Sequence, residues 1–190
     1  MKTALSLLVG SVLAMVGLAT PASAAIEIFL AMDGIQSDLA DSSHPHTISL
    51  LSLSTNVFQQ GLNFAGSGAA AAKTQFNPIV VNKAVDKTSP ALFLACATGK
   101  HIKNATIFVR DEQASFDYFK LVLTDVLVSS IIGSAEAGDN FATEKVTLSF
   151  SKIEWDFTPQ NLEGLPLSPV TGGFDVKQNR TFNVSQEPPG

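Results

Sequence analysis

The chain has 190 residues, 45% hydrophobic and 15% charged, with 13 Gly, 9 Pro and one Cys, a composition that suits one globular domain and excludes collagen-like and disordered classes. A lone Cys can form neither an internal disulfide nor a multi-thiolate zinc site, so stability must come from a packed core. Twelve basic against seventeen acidic residues give a formal charge of −5, with no basic run to track a phosphate backbone, so nucleic acid is not an expected partner.

In chain order, Met1-Lys2 is followed by an apolar stretch from Ala4 to Thr20, a break at Pro21 and the small-x-small triplet Ala22-Ser23-Ala24. This reads as an export signal over residues 1–24, cleaved between Ala24 and Ala25. The expected mature chain starts at Ala25 and carries a charge of −6, since only Lys2 is lost. No later stretch reaches the roughly 18 apolar residues of a membrane-spanning helix, so no membrane insertion of the mature chain is expected. The location implied is exported, periplasmic or extracellular.

One domain is expected over 25–184. Ala25 to Met32 reads as a strand closed by the turn pair Asp33-Gly34. Next comes the close histidine pair His44-Pro45-His46, with Asp33, Asp38 and Asp41 nearby. Imidazole and carboxylate together can ligate a metal, but a proline between two histidines does not aim both rings at one point, and the expected reading is a solvated loop. From Thr47 to Asn56 polar and apolar residues alternate with a slip at Leu50-Leu51, the mark of a bulge or of a strand that changes its buried face.

Ala65 to Ala72 is a run of Gly, Ser and Ala with little to bury, placing a long loop between Gln59 and Thr74. Strands are expected at Gln75 to Val81, Asn104 to Arg110, Asp117 to Val128, Thr143 to Phe157 and Phe174 to Val184, with a phase change between Phe150 and Ile153. Between them, Asp86 to Lys100 predicts a helix of about three turns: a hydroxyl cap before Pro90, an apolar body, and Gly99 where a left-handed closing residue is wanted. Most of its surface is apolar, which requires it to be clamped against a sheet. Cys96 lies on its apolar side with no adjacent base, more a small core residue than a reactive thiol. His101, just past the helix end, is placed to meet the negative end of the dipole. Residues 185–190, with Pro188-Pro189, are expected to be a disordered tail. Six or seven strands and one short helix predict a mainly β fold, a small two-sheet barrel or sandwich with one flanking helix.

No Gly-x-Ser-x-Gly elbow is present, Gly66-Ser67-Gly68 lacks the Lys and Ser/Thr of a phosphate cradle, and no particular carboxylate pair stands out. No catalytic residue, cofactor or metal is expected. The charged fraction is low against the roughly 25% of ordinary domains, which fits either an exported monomer with a neutral exterior or a subunit that covers part of its surface with copies of itself.

Val85-Asp86-Lys87-Thr88-Ser89-Pro90, the apolar helix, and Cys96-Ala97-Thr98-Gly99-Lys100-His101 resemble the Hcp family, the tube-forming proteins of bacterial type VI secretion. Leu127-Val128-Ser129-Ser130, Thr143 to Phe150 followed by Asp156-Phe157-Thr158-Pro159-Gln160, the first strand into Asp33-Gly34, and Gly173 to Asn179 agree in order and spacing. The resemblance implies a two-sheet barrel with one helix, a structural and non-enzymatic role, and assembly into a homo-hexameric ring that stacks into a tube and carries effector proteins. It implies that Phe58, Leu62 and Phe64 anchor a loop that reaches the next ring, unless they pack on their own barrel. It also implies a lumen-facing, cargo-contacting place for Ser54, although Leu53-Ser54-Thr55-Asn56 stands where family members often read W-S-W-G. The alternative is a monomeric exported binding module that has lost assembly and uses the Leu53 to Gly61 region as its surface.

Overall fold

A computed structural model describes residues 25–39, 41–59, 74–112 and 116–184. The expected signal with its cleavage residues Ala22 and Ala24, the loop residues Leu62 and Phe64, and the expected tail at 185–190 lie outside the described residues.

Among the described residues there are twelve strands and one helix: β1 (Ile26–Met32), β2 (Ile48–Leu50), β3 (Ser52–Ser54), β4 (Val57–Gln59), β5 (Thr74–Phe76), β6 (Ile79–Ala84), α1 (Ser89–Thr98), β7 (His101–Asp111), β8 (Asp117–Ser134), β9 (Thr143–Ser149), β10 (Lys152–Phe157), β11 (Val170–Asp175) and β12 (Arg180–Phe182). Ten of the strands form one strongly bent antiparallel sheet, and β4 and β5 form a separate two-stranded ladder. The main layer runs β12-β11-β10-β8-β7-β1-β2, while β9, β6 and β3 continue from the other half of β8 as the second layer.

Two phase changes in the sequence explain the bend. Leu50 is buried and Leu51 is half exposed, so the strand predicted at 47–56 splits in two: β2 pairs with β1 and β3 with β6. The second phase change falls at the Phe150-Ser151 corner, splitting the strand predicted at 143–157 into β9 in one layer and β10 in the other. Of the two forms expected, barrel or sandwich, the chain takes the open one, mainly β with two layers and one flanking helix. The layers connect through chain corners at Leu51 and Ser151 and through β8, not through a continuous closed ladder.

β8 serves both layers. It pairs with β10 over Phe119 to Thr124 and with β9 from Leu127 onward. At the handover Asp125 adopts φ 56°, a left-handed conformation that a non-glycine residue tolerates only when its surroundings hold it. Its carboxylate accepts from Lys177 Nζ at 2.6 Å, Ser151 Oγ at 2.5 Å and His101 Nδ1 at 2.5 Å. Lys177, then the Ser151 hydroxyl and His101, hold the Asp125 carboxyl well below the usual carboxylate range. His101 therefore serves the strand corner rather than capping the helix.

The helix runs over Ser89–Thr98 inside the predicted segment, but Ser89, expected as the hydroxyl cap before Pro90, is already helical and Thr88 stands at the N-cap. Thr88 does not cap it with its own hydroxyl; that group donates to Asp86 Oδ1 at 2.6 Å, and the same oxygen accepts the Thr88 N–H at 2.8 Å. The Asp86 N–H in turn donates to Ser89 Oγ at 3.1 Å. Burial pushes the Asp86 carboxyl up, but Thr88 and Lys83 outweigh it and hold it below its ordinary value. Gly99 closes the helix at φ 64°. Only Leu92 and Ala95 are fully buried, Cys96 is half-buried, and Phe93 and Leu94 are exposed. The helix is held against the sheet as expected, but by one face: Leu92 and Ala95 enter the core and the other face meets solvent.

The core is a single cluster contributed by both layers and α1, including Leu30, Ile48, Val81, Leu92, Ile107, Leu121, Val146 and Leu148. Lys83 lies wholly within it. Its ammonium donates to Glu144 Oε1 at 2.8 Å, Asp86 Oδ1 at 2.9 Å and the Ala84 carbonyl at 2.8 Å, satisfying the charge that burial would otherwise penalise.

Candidate functional site

Antiparallel registers align the core-facing side chains of the main layer in rows. One row runs Met32, Ala105, Leu123, Ile153 and Phe174; the next Leu30, Ile107, Leu121, Trp155 and Gly172; the next Ile28, Val109, Phe119, Phe157 and Val170. Side-chain alternation puts all of these on one face. In the first row burial holds as far as Ile153, but in the second it stops at β10 and in the third Phe119 is already only partly buried: Trp155 is 41% exposed, Phe157 48% and Val170 67%. The inner face of the sheet therefore extends beyond the layer that covers it.

The β4–β5 hairpin stands over one margin of this face. Phe76 stacks on Phe174 with ring centroids 4.9 Å apart, and Val57, Phe76, Trp155, Gly172, Phe174 and Phe182 line an open apolar groove of about 310 Å³. Glycine at 172 leaves the groove floor free, with no atom within 4 Å of an added Cβ. Gly173 has the opposite reason: a Cβ there would lie 2.8 Å from the Phe182 ring. Trp155 leans on Phe119 at 5.0 Å. On the opposite face of the same strands Lys120 pairs with the buried Asp156 at 3.1 Å, and burial, then the Asp156 charge, pushes the Glu154 carboxyl up.

Of the residues singled out in the sequence, Phe58 is exposed on β4 opposite the groove-facing Val57. Ser54 is exposed at the end of β3, paired with Val80. The histidine pair divides. His46 is exposed, whereas His44 is buried, stacked on Phe29 at 4.6 Å and against Phe108 at 4.7 Å, with Nε2 3.0 Å from Asp117 Oδ2. The solvated-loop expectation is corrected for His44. Its partners lie on β1, β7 and β8, up to 73 positions away, so no local pattern announces the burial. No group of His, Cys, Asp or Glu suited to a metal ion occurs among the described residues. Alternation from Ile153 onward puts Trp155 and Phe157 on one face, but carries no sign of where the covering layer ends.

The fold and this surface define a mainly β domain with one flanking helix and an open apolar face. Residues 29–157 match the model of the family described as "Type VI secretion system effector, Hcp". Protein hcp1 of Pseudomonas aeruginosa is 30% identical over 158 residues, spanning 82% of this chain and 98% of that protein. Among solved structures, Hcp1 from Salmonella typhimurium superposes with a TM-score of 0.70 at 32% identity, covering 83% of this chain and 99% of that one. A type six secretion system protein superposes with a TM-score of 0.78 at 19% identity over 83% of this chain and all of that one, a likeness of fold. The chain belongs to the Hcp family of type VI secretion proteins.

Proposed function

We propose that this protein is a structural, non-enzymatic subunit that assembles with copies of itself into homo-hexameric rings, stacked into a tube that carries effector proteins, and that it is exported through its N-terminal segment. The observation that carries the reading is the uncovered sheet face at Trp155, Phe157 and Val170. Inner-face residues of a core are costly to leave wet, and a second copy of the chain removes that cost wherever a head-to-tail interface closes into a ring. Family membership supports the same reading. In it, Phe58, with Leu62 and Phe64, belongs to the loop that reaches the next ring, and Ser54 faces the lumen.

The deciding experiment is the native mass and negative-stain appearance of the protein beginning at Ala25. Annuli of six subunits are expected. Single particles of one domain, even when concentrated, overturn the reading in favour of the monomeric binding module, whose ligand surface would then be the groove beside Val57.

A further inference from the structure

The described residues of the connection between β1 and β2 (33–39 and 41–47) bring His44 onto the outer face of the main sheet, where its ring packs on Phe29 and Phe108. The ring is 6% exposed and lies between two carboxylates. Nε2 is 3.0 Å from Asp117 Oδ2 at the start of β8, and Nδ1 is 3.5 Å from Asp41 Oδ1 within the connection. Neither His44 Nδ1 nor Asp117 Oδ1 has a hydrogen-bond partner, although both are buried. A neutral imidazole has one N–H and one lone pair. In either neutral tautomer one ring nitrogen holds a lone pair within 3.5 Å of a carboxylate oxygen. Only the doubly protonated ring offers a donor to both sides.

The charges facing the ring point the same way. From β1 comes Glu27, and from β7 Arg110, which donates to Glu27 Oε2 at 2.7 Å and to Asp41 Oδ2 at 2.5 Å and lies over the Phe29 ring at 4.9 Å. From β8 comes Asp117, with Lys120 farther along already paired to Asp156. Three carboxylates thus face one guanidinium, and an imidazolium between two aromatic rings reduces that imbalance. The other acids of the connection face elsewhere: Asp33 accepts from Asn104 and Asp38 pairs with Lys87.

We propose that His44 is a protonation-dependent clasp, in which the imidazolium bridges Asp41 and Asp117 and pins the β1–β2 connection to the outer sheet face, and loss of the proton loosens that connection. The clasp lies on the face opposite the apolar patch, and all of its partners belong to the same chain.

Two measurements on the full-length protein test it: the imidazole NMR signals of His44 between about pH 5 and pH 8.5, and amide exchange of segment 35–47, corrected for intrinsic rates, over the same range. Protection of the segment is expected to fall at least about fivefold in step with deprotonation of the ring, and to be flat with pH in His44→Gln. Asp117→Asn keeps the size of the side chain and removes one of the two charges, so it serves if His44→Gln does not fold; it is expected to shrink the pH response. A ring that does not titrate in this range, protection that ignores its titration, or a pH response unchanged in the variant that folds overturns the proposal.

Discussion

Lys83 Nζ and Glu144 Oε1 meet at 2.8 Å in the interior, one side chain wholly buried and the other nearly so. The pair joins β6 to β9, and through Asp86 and Ser89 it fixes the start of α1. Breaking it from one side leaves a buried charge without its partner. Lys83→Met is therefore expected to cost on the order of 3–5 kcal/mol, and the double change Lys83→Met with Glu144→Leu to cost less than the sum of the two single changes. Denaturant unfolding of the four proteins in a double-mutant cycle checks this.

Leu92 and Phe93 are neighbours with opposite surroundings, the first buried and the second 62% exposed. Leu92→Ala is expected to lose about 2–5 kcal/mol through the cavity it leaves, whereas Phe93→Ser is expected to stay within about 0.5 kcal/mol in the isolated subunit. An unchanged melting profile for Leu92→Ala refutes the placement of the helix in the core.

Acid is expected to weaken the fold through two aspartates. The Arg110 guanidinium, joined by the His44 and Ser43 amides, lowers the Asp41 carboxyl to about 2 from its ordinary 3.8, and Lys177 does the like for Asp125. Because both carboxyls are depressed in the folded state, their stabilisation is complete above the ordinary aspartate range. It is lost as pH falls from about 4 towards 2 for Asp41 and still lower for Asp125. Urea midpoints between about pH 2 and pH 6 are expected to drop steeply in the wild type and less steeply in Arg110→Met and Lys177→Met.

The open sheet face makes a prediction about assembly separate from folding. Phe157→Asp and Val170→Asp place a charge on a surface already exposed in the single chain, so the melting temperature is expected to hold while annuli disappear from negative-stain fields. Leu62→Asp is expected to weaken stacking of rings without unfolding the domain. Global unfolding by that one loop change counts against a stacking role.

Gly173→Ala is expected to destabilise the end of the main layer, by about 1–3 kcal/mol. The new methyl would meet both the Phe182 ring at 2.8 Å and its carbonyl oxygen at 3.0 Å, and the second cannot swing away. Gly172→Ala, with open space above it, is the comparison that separates crowding from glycine chemistry in a melting experiment.

Much of the fold was legible because it is written in local periodicity. The slip at Leu50-Leu51 and the change of phase around Ser151 each mark a strand that turns its other side inward, and each became a corner between layers. Pro90 and Gly99 bounded the helix for backbone reasons that no tertiary contact overrides. What stayed hidden depends on partners far away in sequence. Lys83 reads as an ordinary surface lysine until Glu144, 61 positions on, is brought beside it. His44 reads as a loop histidine until Phe29, Phe108 and Asp117 enclose it. Alternation assigns Trp155 and Phe157 to the inner face, but it carries no information about where the opposing layer stops.

The 18 residues of β8 run unbroken from one layer into the other. Tension applied to either layer therefore travels along peptide bonds, not across a seam of side chains. Sliding the layers past each other requires stripping this shared spine from neighbours on both of its edges. A subunit that had to survive being pushed or pulled as part of a larger object gains mechanical continuity from that arrangement, with Asp125 as the pivot about which the two halves of the spine are set.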